Sequence, residues 1–122
     1  MRKTLVLLTM LALAAPAAAA IDGGWPVVVE ANDADCTLKV TGNGRFVRIA
    51  AEGLGAGDTA RYQLRNGDMT PIDWTVRADA AGRFARYYVP FRWGQDGGTV
   101  QVEIASESCR LTASFPWQRY TG

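Results

Sequence analysis

The chain has 122 residues, with 13 basic and 12 acidic side chains, two cysteines and no histidine. Its formal net charge of +1 provides no electrostatic attraction to nucleic acid or to an anionic membrane surface, so neither is expected as a partner. The lack of histidine excludes a Ser-His-Asp triad, a Cys-His nucleophile and a histidine-bound zinc ion.

Residues 1–20 are predicted to be a signal peptide that is removed on export. Arg2 and Lys3 give a basic start, an apolar run of about ten residues follows, and a run of small alanines ends at Ala20. The apolar run is shorter than the ~20 residues that a membrane-spanning helix needs. Residues 21–122 are therefore expected to form a single periplasmic or secreted domain, with no stable membrane insertion after cleavage.

Cys36 and Cys109 are predicted to pair in one structural disulfide, because an exported protein folds under oxidising conditions. The two residues lie near opposite ends of the exported part of the chain. Closing so long a loop is expected to stabilise the fold by roughly 4 kcal/mol in the chain-entropy model. The alternatives are a redox pair or two metal ligands, but the chain has no C-x-x-C spacing and no histidine, and we expect no metal or cofactor.

Residues 21–122 have the pattern of about eight short strands, with turn signals roughly every 8–12 residues and no segment of helical period. In most of these segments apolar side chains alternate with polar ones, as in strands with one buried face. Pro26 near the start of the first segment indicates an edge strand. This spacing is typical of an antiparallel β-sandwich. The predicted strands cover residues 25–30, 36–41, 47–52, 59–65, 72–78, 83–89, 100–104 and 109–115.

The two segments around Asp79 are predicted to form a β-hairpin that builds the core. Residues 72–78 alternate, with Trp74 on the inner face, and residues 79–82 supply turn chemistry. A second β-rich run follows at once and ends at Pro90, which cannot donate to a ladder of hydrogen bonds. The pattern therefore places the Trp74 indole in the core.

Two polar or glycine-rich segments are interpreted as connections rather than as sites. Residues 32–35 carry three side chains with oxygen ligands, but their spacing does not match the calcium-binding loop of an EF-hand. Residues 53–58 contain a G-x-G-x-G pattern, which in a phosphate-binding loop precedes a helix. The alternation that begins at Thr59 predicts a strand instead, so this segment is predicted to be a loop between strands.

A set of motifs runs from about Val47 to Phe115: VRIAAEGLGAGDTARYQL, ADAAGRF, VPF, GGTVQVEIA and CRLTASF. Together they resemble the immunoglobulin-like modules of bacterial exported and cell-surface proteins, which typically show a G-x-x-x-G-x-x-V loop, an A-D-x-x-G-x-F hairpin and a late G-x-V-x-V strand. The resemblance implies an all-β, antiparallel immunoglobulin-like β-sandwich of about seven to eight strands, and no catalytic residue. The chain lacks the mid-strand cysteine pair, with a tryptophan between, that marks antibody domains.

We expect a small exported, non-catalytic immunoglobulin-like domain that mediates protein binding or assembly in the cell envelope. Tryptophan and arginine are enriched at binding hot spots, and Trp93 is the first candidate for a contact residue. Trp93 also fits a second interpretation, as a lid over the open end of the sandwich. The full set of candidate contact residues is Trp93, Arg92, Phe91, Trp25 and Trp117.

Two other functions remain as alternatives. A carbohydrate-binding module would stack sugar rings on Trp25, Trp93 and Trp117, which requires that these rings lie coplanar on one exposed face. A minimal hydrolase would require two carboxylates in a cleft at ~5–9 Å from each other. Aspartates in or near predicted turns are the candidates for such a pair, although turn formation explains them as well: Asp58, Asp68, Asp73, Asp79 and Asp96.

Overall fold

The computed structural model describes residues 24–119, so the predicted signal peptide lies outside the described residues. Within this range the chain contains strands but no helix, and thus no helix long and apolar enough to cross a membrane. The predicted all-β fold is confirmed. The strands are β1 (Val27–Asp33), β2 (Cys36–Gly42), β3 (Val47–Glu52), β4 (Thr59–Asn66), β5 (Ile72–Arg77), β6 (Phe84–Tyr88), β7 (Gly97–Ala105) and β8 (Arg110–Gln118).

The strands form two four-stranded sheets in which every neighbouring pair is antiparallel. The first sheet has the order β1-β2-β3-β6 and the second has the order β5-β4-β7-β8. Because side chains alternate along a strand, each sheet presents one apolar face, and the two faces pack together as a sandwich. Pro26 directly precedes β1, which is an edge strand as predicted.

The core consists of the inward rows that the alternation predicts. Tyr62 is the largest of the fully buried side chains and packs edge-on against Phe84 of the other sheet, with 5.6 Å between ring centroids. Each large apolar side chain buried in this way contributes about 1.5–3 kcal/mol relative to exposure. Other inward residues on the buried faces of the strands include Leu38, Val40, Val47, Ile49, Ala51, Ala60, Leu64, Val76, Val100, Val102, Ile104, Leu111, Phe115 and Trp117.

The predicted hairpin around Asp79 does not form. β5 pairs with β4 and β6 pairs with β3, so the turn between them carries the chain from the second sheet to the first. Asp79 closes the turn by accepting hydrogen bonds from the N–H groups of Ala81 and Arg83, both at 2.9 Å. The N–H of Leu54, in the β3–β4 connection, donates to the carbonyl of Gly82 at 3.1 Å. The turn residues therefore mark a turn, but they do not determine which sheet the next strand joins.

Trp74 is not a core residue, which corrects the prediction, because 47% of its surface is exposed. Its side chain lies on the row of Tyr62, its register partner, and the two rings stack at 5.8 Å. β5 is the edge strand of its sheet, and Arg86 on the edge strand β6 lies over the indole at 6.0 Å. The ring therefore covers an open side of the sandwich, and an edge position leaves part of it in solvent.

The predicted disulfide joins Cys36 and Cys109, which are 73 positions apart, with 2.06 Å between the sulfur atoms. Cys36 begins β2 in the first sheet, and Cys109 immediately precedes β8 in the second. Both cysteines are buried. The bond therefore links the two sheets of the sandwich covalently.

Candidate binding surface

The crossover loop, residues 89–96, joins β6 of the first sheet to β7 of the second and carries three predicted contact residues. Phe91, Arg92 and Trp93 are consecutive, yet the structure gives each a different environment. Phe91 and Arg92 are half-buried, whereas Trp93 is 99% exposed. The loop thus combines residues that hold it in place with one that projects into solvent.

Asn66 fixes the base of the crossover loop. It ends β4 and is buried, and its Nδ2 donates hydrogen bonds to the carbonyl of Pro90 at 2.8 Å and to the hydroxyl of Tyr88 at 3.1 Å. Its Oδ1 accepts the indole N–H of Trp117 at 3.1 Å. Phe91 packs edge-on against the Trp117 ring, with 5.8 Å between ring centroids. One buried amide thus connects β4, β8 and the start of the loop.

Two arginines brace the middle of the crossover loop. Arg92 Nη2 lies 2.7 Å from Oδ1 of Asp68, and this hydrogen bond lowers the pKa of the Asp68 carboxyl. The guanidinium of Arg119 donates to the carbonyl of Arg92 and to that of Gln95, the latter at 3.0 Å. The backbone N–H of Arg119 donates to the carbonyl of Asp96 at 2.8 Å. Arg92 therefore belongs to the bracing of the loop, and the loop is tied down on both sides of its tip.

The tip of the crossover loop is a tight turn that presents Trp93 to solvent. The N–H of Gln95 donates to the carbonyl of Arg92 at 3.2 Å, which leaves Trp93 and Gly94 as the central residues of the turn. Gly94 has a φ of 76°, as required at the third position of a type II turn. Because Trp93 is almost fully exposed, its ring is not a lid over the core.

The end groove, an apolar depression of about 190 Å³, lies beside the crossover loop. Its walls come from the loop, from β8, from the start of β1 and from the β2–β3 connection. Val28 and Phe46 in these walls are 41% and 44% exposed, so apolar surface is open to solvent. Other residues that line the groove are Arg45, Val47, Pro90, Phe91, Phe115, Pro116 and Trp117.

Trp25 belongs to an aromatic cluster on the outer face of the first sheet. Its ring stacks on Phe46, with centroids 6.5 Å apart and planes at 9°, and meets Tyr87 edge-on at 6.1 Å. Thr41 shares an outward row with Arg48 and Tyr87, yet it is 1% exposed, and its Oγ1 has no hydrogen-bond partner among the described residues. The cluster therefore packs down on the sheet, and Phe46 connects it to the end groove.

Trp117 does not present its ring on an open surface, because it is only 6% exposed and belongs to the core, and it is one of the residues that line the end groove. The three tryptophans therefore do not share an exposed, coplanar face. A signal for this was present in the sequence, since Trp117 continues the alternating inward row of Leu111 and Phe115. Trp93 remains the predicted contact residue that the structure presents to solvent.

Asn66, Asp68 and Arg119 support the crossover loop and were not identified from the sequence. Asn66 and Asp68 flank a glycine, and that pattern predicts a turn, which is present. Their partners in the loop lie 24 positions further along the chain, at Pro90 and Arg92. No short-range pattern indicates such contacts, so only the fold reveals them.

Four of the five aspartates considered for hydrolysis have structural partners. Asp58 accepts hydrogen bonds from the N–H of Gly55 at 3.0 Å and from the hydroxyl of Ser108 at 3.3 Å. Asp68 pairs with Arg92 and Asp73 with Arg61, while Asp79 accepts backbone N–H groups of its own turn. The hydrogen bonds to Asp68, Asp73 and Asp79 lower the pKa of these three carboxyls, which is opposite to the shift that a general acid requires. Residues 24–119 contain no group of three or more histidine, cysteine or acidic side chains that could hold a metal ion.

Comparisons of the chain with protein-family models, with curated proteins and with solved structures found no match. The fold and the surface formed by the crossover loop are therefore the basis for a functional proposal.

Proposed function

We propose that this protein is a small exported immunoglobulin-like domain that binds another protein of the cell envelope without catalysis. The observation that carries the proposal is Trp93, whose side chain is 99% exposed at the tip of the crossover loop. Burial of such a side chain contributes about 1.5–3 kcal/mol, and a partner that covers the indole gains this free energy. Tryptophan is also among the residues enriched at the energetic centre of protein interfaces.

The bracing of the crossover loop favours binding because it lowers the cost of ordering the contact. Arg119 and the Arg92–Asp68 pair hold the loop on either side of Trp93. A preorganised loop avoids part of the ~0.5–1.5 kcal/mol that each immobilised side chain costs on association. Tryptophan itself has only two χ angles to fix, so its large contact area comes at a small entropic cost.

The sheet order supports an immunoglobulin-like topology. In such domains strands C, F and G are neighbours in one sheet, and strands A, B and E lie together in the other. The order β4-β7-β8 corresponds to the first set and β2-β3-β6 to the second, with β5 beside β4 as strand C′ and β1 as an additional edge. The inter-sheet disulfide occupies a different place from the B–F bond of antibody domains.

The disulfide also supports export, because such bonds persist in oxidising compartments. Export itself is tested by expressing the full chain and measuring the intact mass of the protein in the periplasm and in the medium. We expect a mass that corresponds to cleavage after Ala20. An uncleaved chain confined to the cytoplasmic fraction would contradict the proposed export.

The binding proposal is tested by capturing partners from envelope extract on immobilised wild-type protein and on two variants. Trp93→Ala removes the proposed contact, and Tyr87→Ala removes an aromatic ring that is 67% exposed on the outer face of the first sheet. We expect the wild type and Tyr87→Ala to retain the same protein and Trp93→Ala to lose it, while Trp93→Ala keeps its melting temperature. Equal retention by Trp93→Ala would mean that Trp93 is not the contact.

Protease treatment of the extract separates protein binding from the carbohydrate-binding alternative. Retained material that disappears after treatment supports a protein partner. Material that survives treatment would favour a glycan ligand and would contradict the proposal. The buried position of Trp117 leaves the glycan alternative at most two of its three proposed stacking residues, Trp25 and Trp93.

A further inference from the structure

We infer that two copies of this chain associate about a two-fold axis, with Trp93 of each copy inserted into the end groove of the other. The inference rests on the proposed role of Trp93 as a contact residue, and it names a second copy of the chain as one partner for that residue. An envelope partner that covers Trp93 would then compete with the dimer.

The end groove matches an indole in size and in chemistry. Its volume is about 190 Å³, and an apolar cavity of about 150 Å³ already accommodates a benzene molecule. The walls are largely apolar, with aromatic side chains from Phe46, Phe91 and Trp117. Aromatic walls suit an incoming ring because edge-to-face and offset contacts add to the gain from burial.

The chain does not place its own Trp93 in this groove. Phe91, two positions before Trp93 in the chain, forms part of the groove wall, but Trp93 itself is 99% exposed. The turn at Gly94 and the hydrogen bonds from Arg119 hold the tip away from the wall. The apolar groove and the exposed indole therefore lie beside each other without being in contact.

This arrangement is self-complementary. Phe91 belongs both to the crossover loop and to the wall of the end groove, and Gln118 lines the groove directly before Arg119, which braces the loop. When a projecting group and its receptor lie side by side on one surface, a two-fold rotation brings both pairs together at once. Two indole contacts form in one closed dimer, and no free receptor remains for a third copy.

One acidic and one basic side chain give the two surfaces complementary charges. Arg45 lines the end groove and is exposed. Asp96 follows Trp93 by three positions and is also exposed, whereas the carboxylate of Asp68 is already paired with Arg92. In the reciprocal arrangement Asp96 of one copy approaches Arg45 of the other. Because such an exposed pair is screened by salt, high ionic strength is expected to weaken association slightly.

The expected interface is small. Each indole buries about 150–250 Å², and the groove walls lose a similar area, so the total is roughly 600–1,000 Å². Stable specific interfaces bury ~1,200–2,000 Å². The dimer is therefore expected to be weak and reversible, and to form in the roughly micromolar to millimolar range.

Sedimentation over a concentration series of the exported protein tests the inference with a matched pair of variants. Val27 and Val28 are neighbours on the edge strand β1 and are 51% and 41% exposed, but of the two only Val28 lines the end groove. We expect the wild type and Val27→Glu to dimerise equally. Trp93→Ala and Val28→Glu are expected to dimerise at least ten-fold more weakly, with unchanged circular dichroism.

The inference would be overturned if the wild-type protein stayed monomeric up to millimolar concentration, or if neither Trp93→Ala nor Val28→Glu weakened association. It would also be overturned if Val27→Glu weakened association as much as Val28→Glu does, or if assembly continued past the dimer. Capture by Val28→Glu separates the inference from the proposed function, since this variant is expected to retain the envelope partner. If the protein captures an envelope partner but does not dimerise, the proposed function stands and the inference fails. If it dimerises but captures no envelope partner, the inference stands and the proposed function fails.

Discussion

The indole N–H of Trp117 donates to Oδ1 of Asn66 at 3.1 Å, across 51 positions of the chain, and both residues are buried. Asn66 also holds the carbonyl of Pro90, at the start of the crossover loop. The orientation of the exposed Trp93 thus depends on a buried polar group at the end of β4. A binding surface and a core hydrogen-bond network are connected here through one side chain.

Asn66→Ala is expected to destabilise the protein by about 2–4 kcal/mol, because the Trp117 N–H and the Pro90 carbonyl lose their partner in a buried place. Urea denaturation measures the loss. Gln63→Ala on the same strand is the matched control, and since Gln63 is half-buried and faces outward, its change should stay within about 0.5 kcal/mol. Similar losses for both variants would show that the Asn66 network does not stabilise the fold.

Reduction of the Cys36–Cys109 disulfide is expected to lower the free energy of unfolding by roughly 4 kcal/mol, because it releases a long loop in the unfolded chain. For a domain of this size the melting temperature should fall by roughly 15–30 °C. Calorimetry with and without reductant measures the shift. The double variant Cys36→Ala/Cys109→Ala should melt at the temperature of the reduced wild type, and the reductant should not change its melting temperature. A wild-type melting curve that is unchanged by reductant would contradict the prediction.

Ala34→Gly is expected to stabilise the protein by about 0.5–1 kcal/mol. Ala34 lies in the turn between β1 and β2, where Asp33 pairs with Cys36. Its φ of 54° falls in the left-handed region, in which the Cβ of an L-residue is strained. Ala56 lies in another exposed turn without a positive φ, so Ala56→Gly should instead cost about 0.5–1 kcal/mol. Thermal denaturation of both variants checks the opposite signs. A loss of stability in Ala34→Gly would argue against the strained turn.

Tyr62 is expected to make the fold sensitive to alkaline pH. Burial, assisted by the nearby Tyr88, raises the pKa of Tyr62 to about 12, above its ordinary value of 10.0. A folded-state pKa above the unfolded one gives stability that is complete below pH ~10 and is lost as the pH rises toward 12. The stability of Tyr62→Phe should fall less steeply with rising pH between about 10 and 12. Tyr87→Phe, which changes an exposed phenol, should follow the wild type, and identical curves for all three proteins would contradict the prediction.

The sequence by itself determined the strands, their inner faces and the disulfide. The row of Leu38, Val40 and Ile49 could be predicted because alternation is a property of neighbouring residues on a pleated strand. The pairing of Cys36 with Cys109 followed because the chain offers one possible pair. Local patterns are sufficient where the deciding interaction lies within one strand, or where the set of partners is this small.

Only the tertiary structure decided which strands are neighbours and which aromatic rings meet solvent. The turn at Asp79 reads as a hairpin locally, yet contacts with the β3–β4 connection direct the next strand into the other sheet. Trp74 was predicted to be buried, but it is partly exposed because it lies on an edge strand. Trp117 was predicted as a contact residue, but it is buried and its indole N–H is bonded to Asn66. The exposure of Trp93 depends on braces from Arg119, distant in the chain. Burial is set by such long-range contacts, and a local pattern does not contain them.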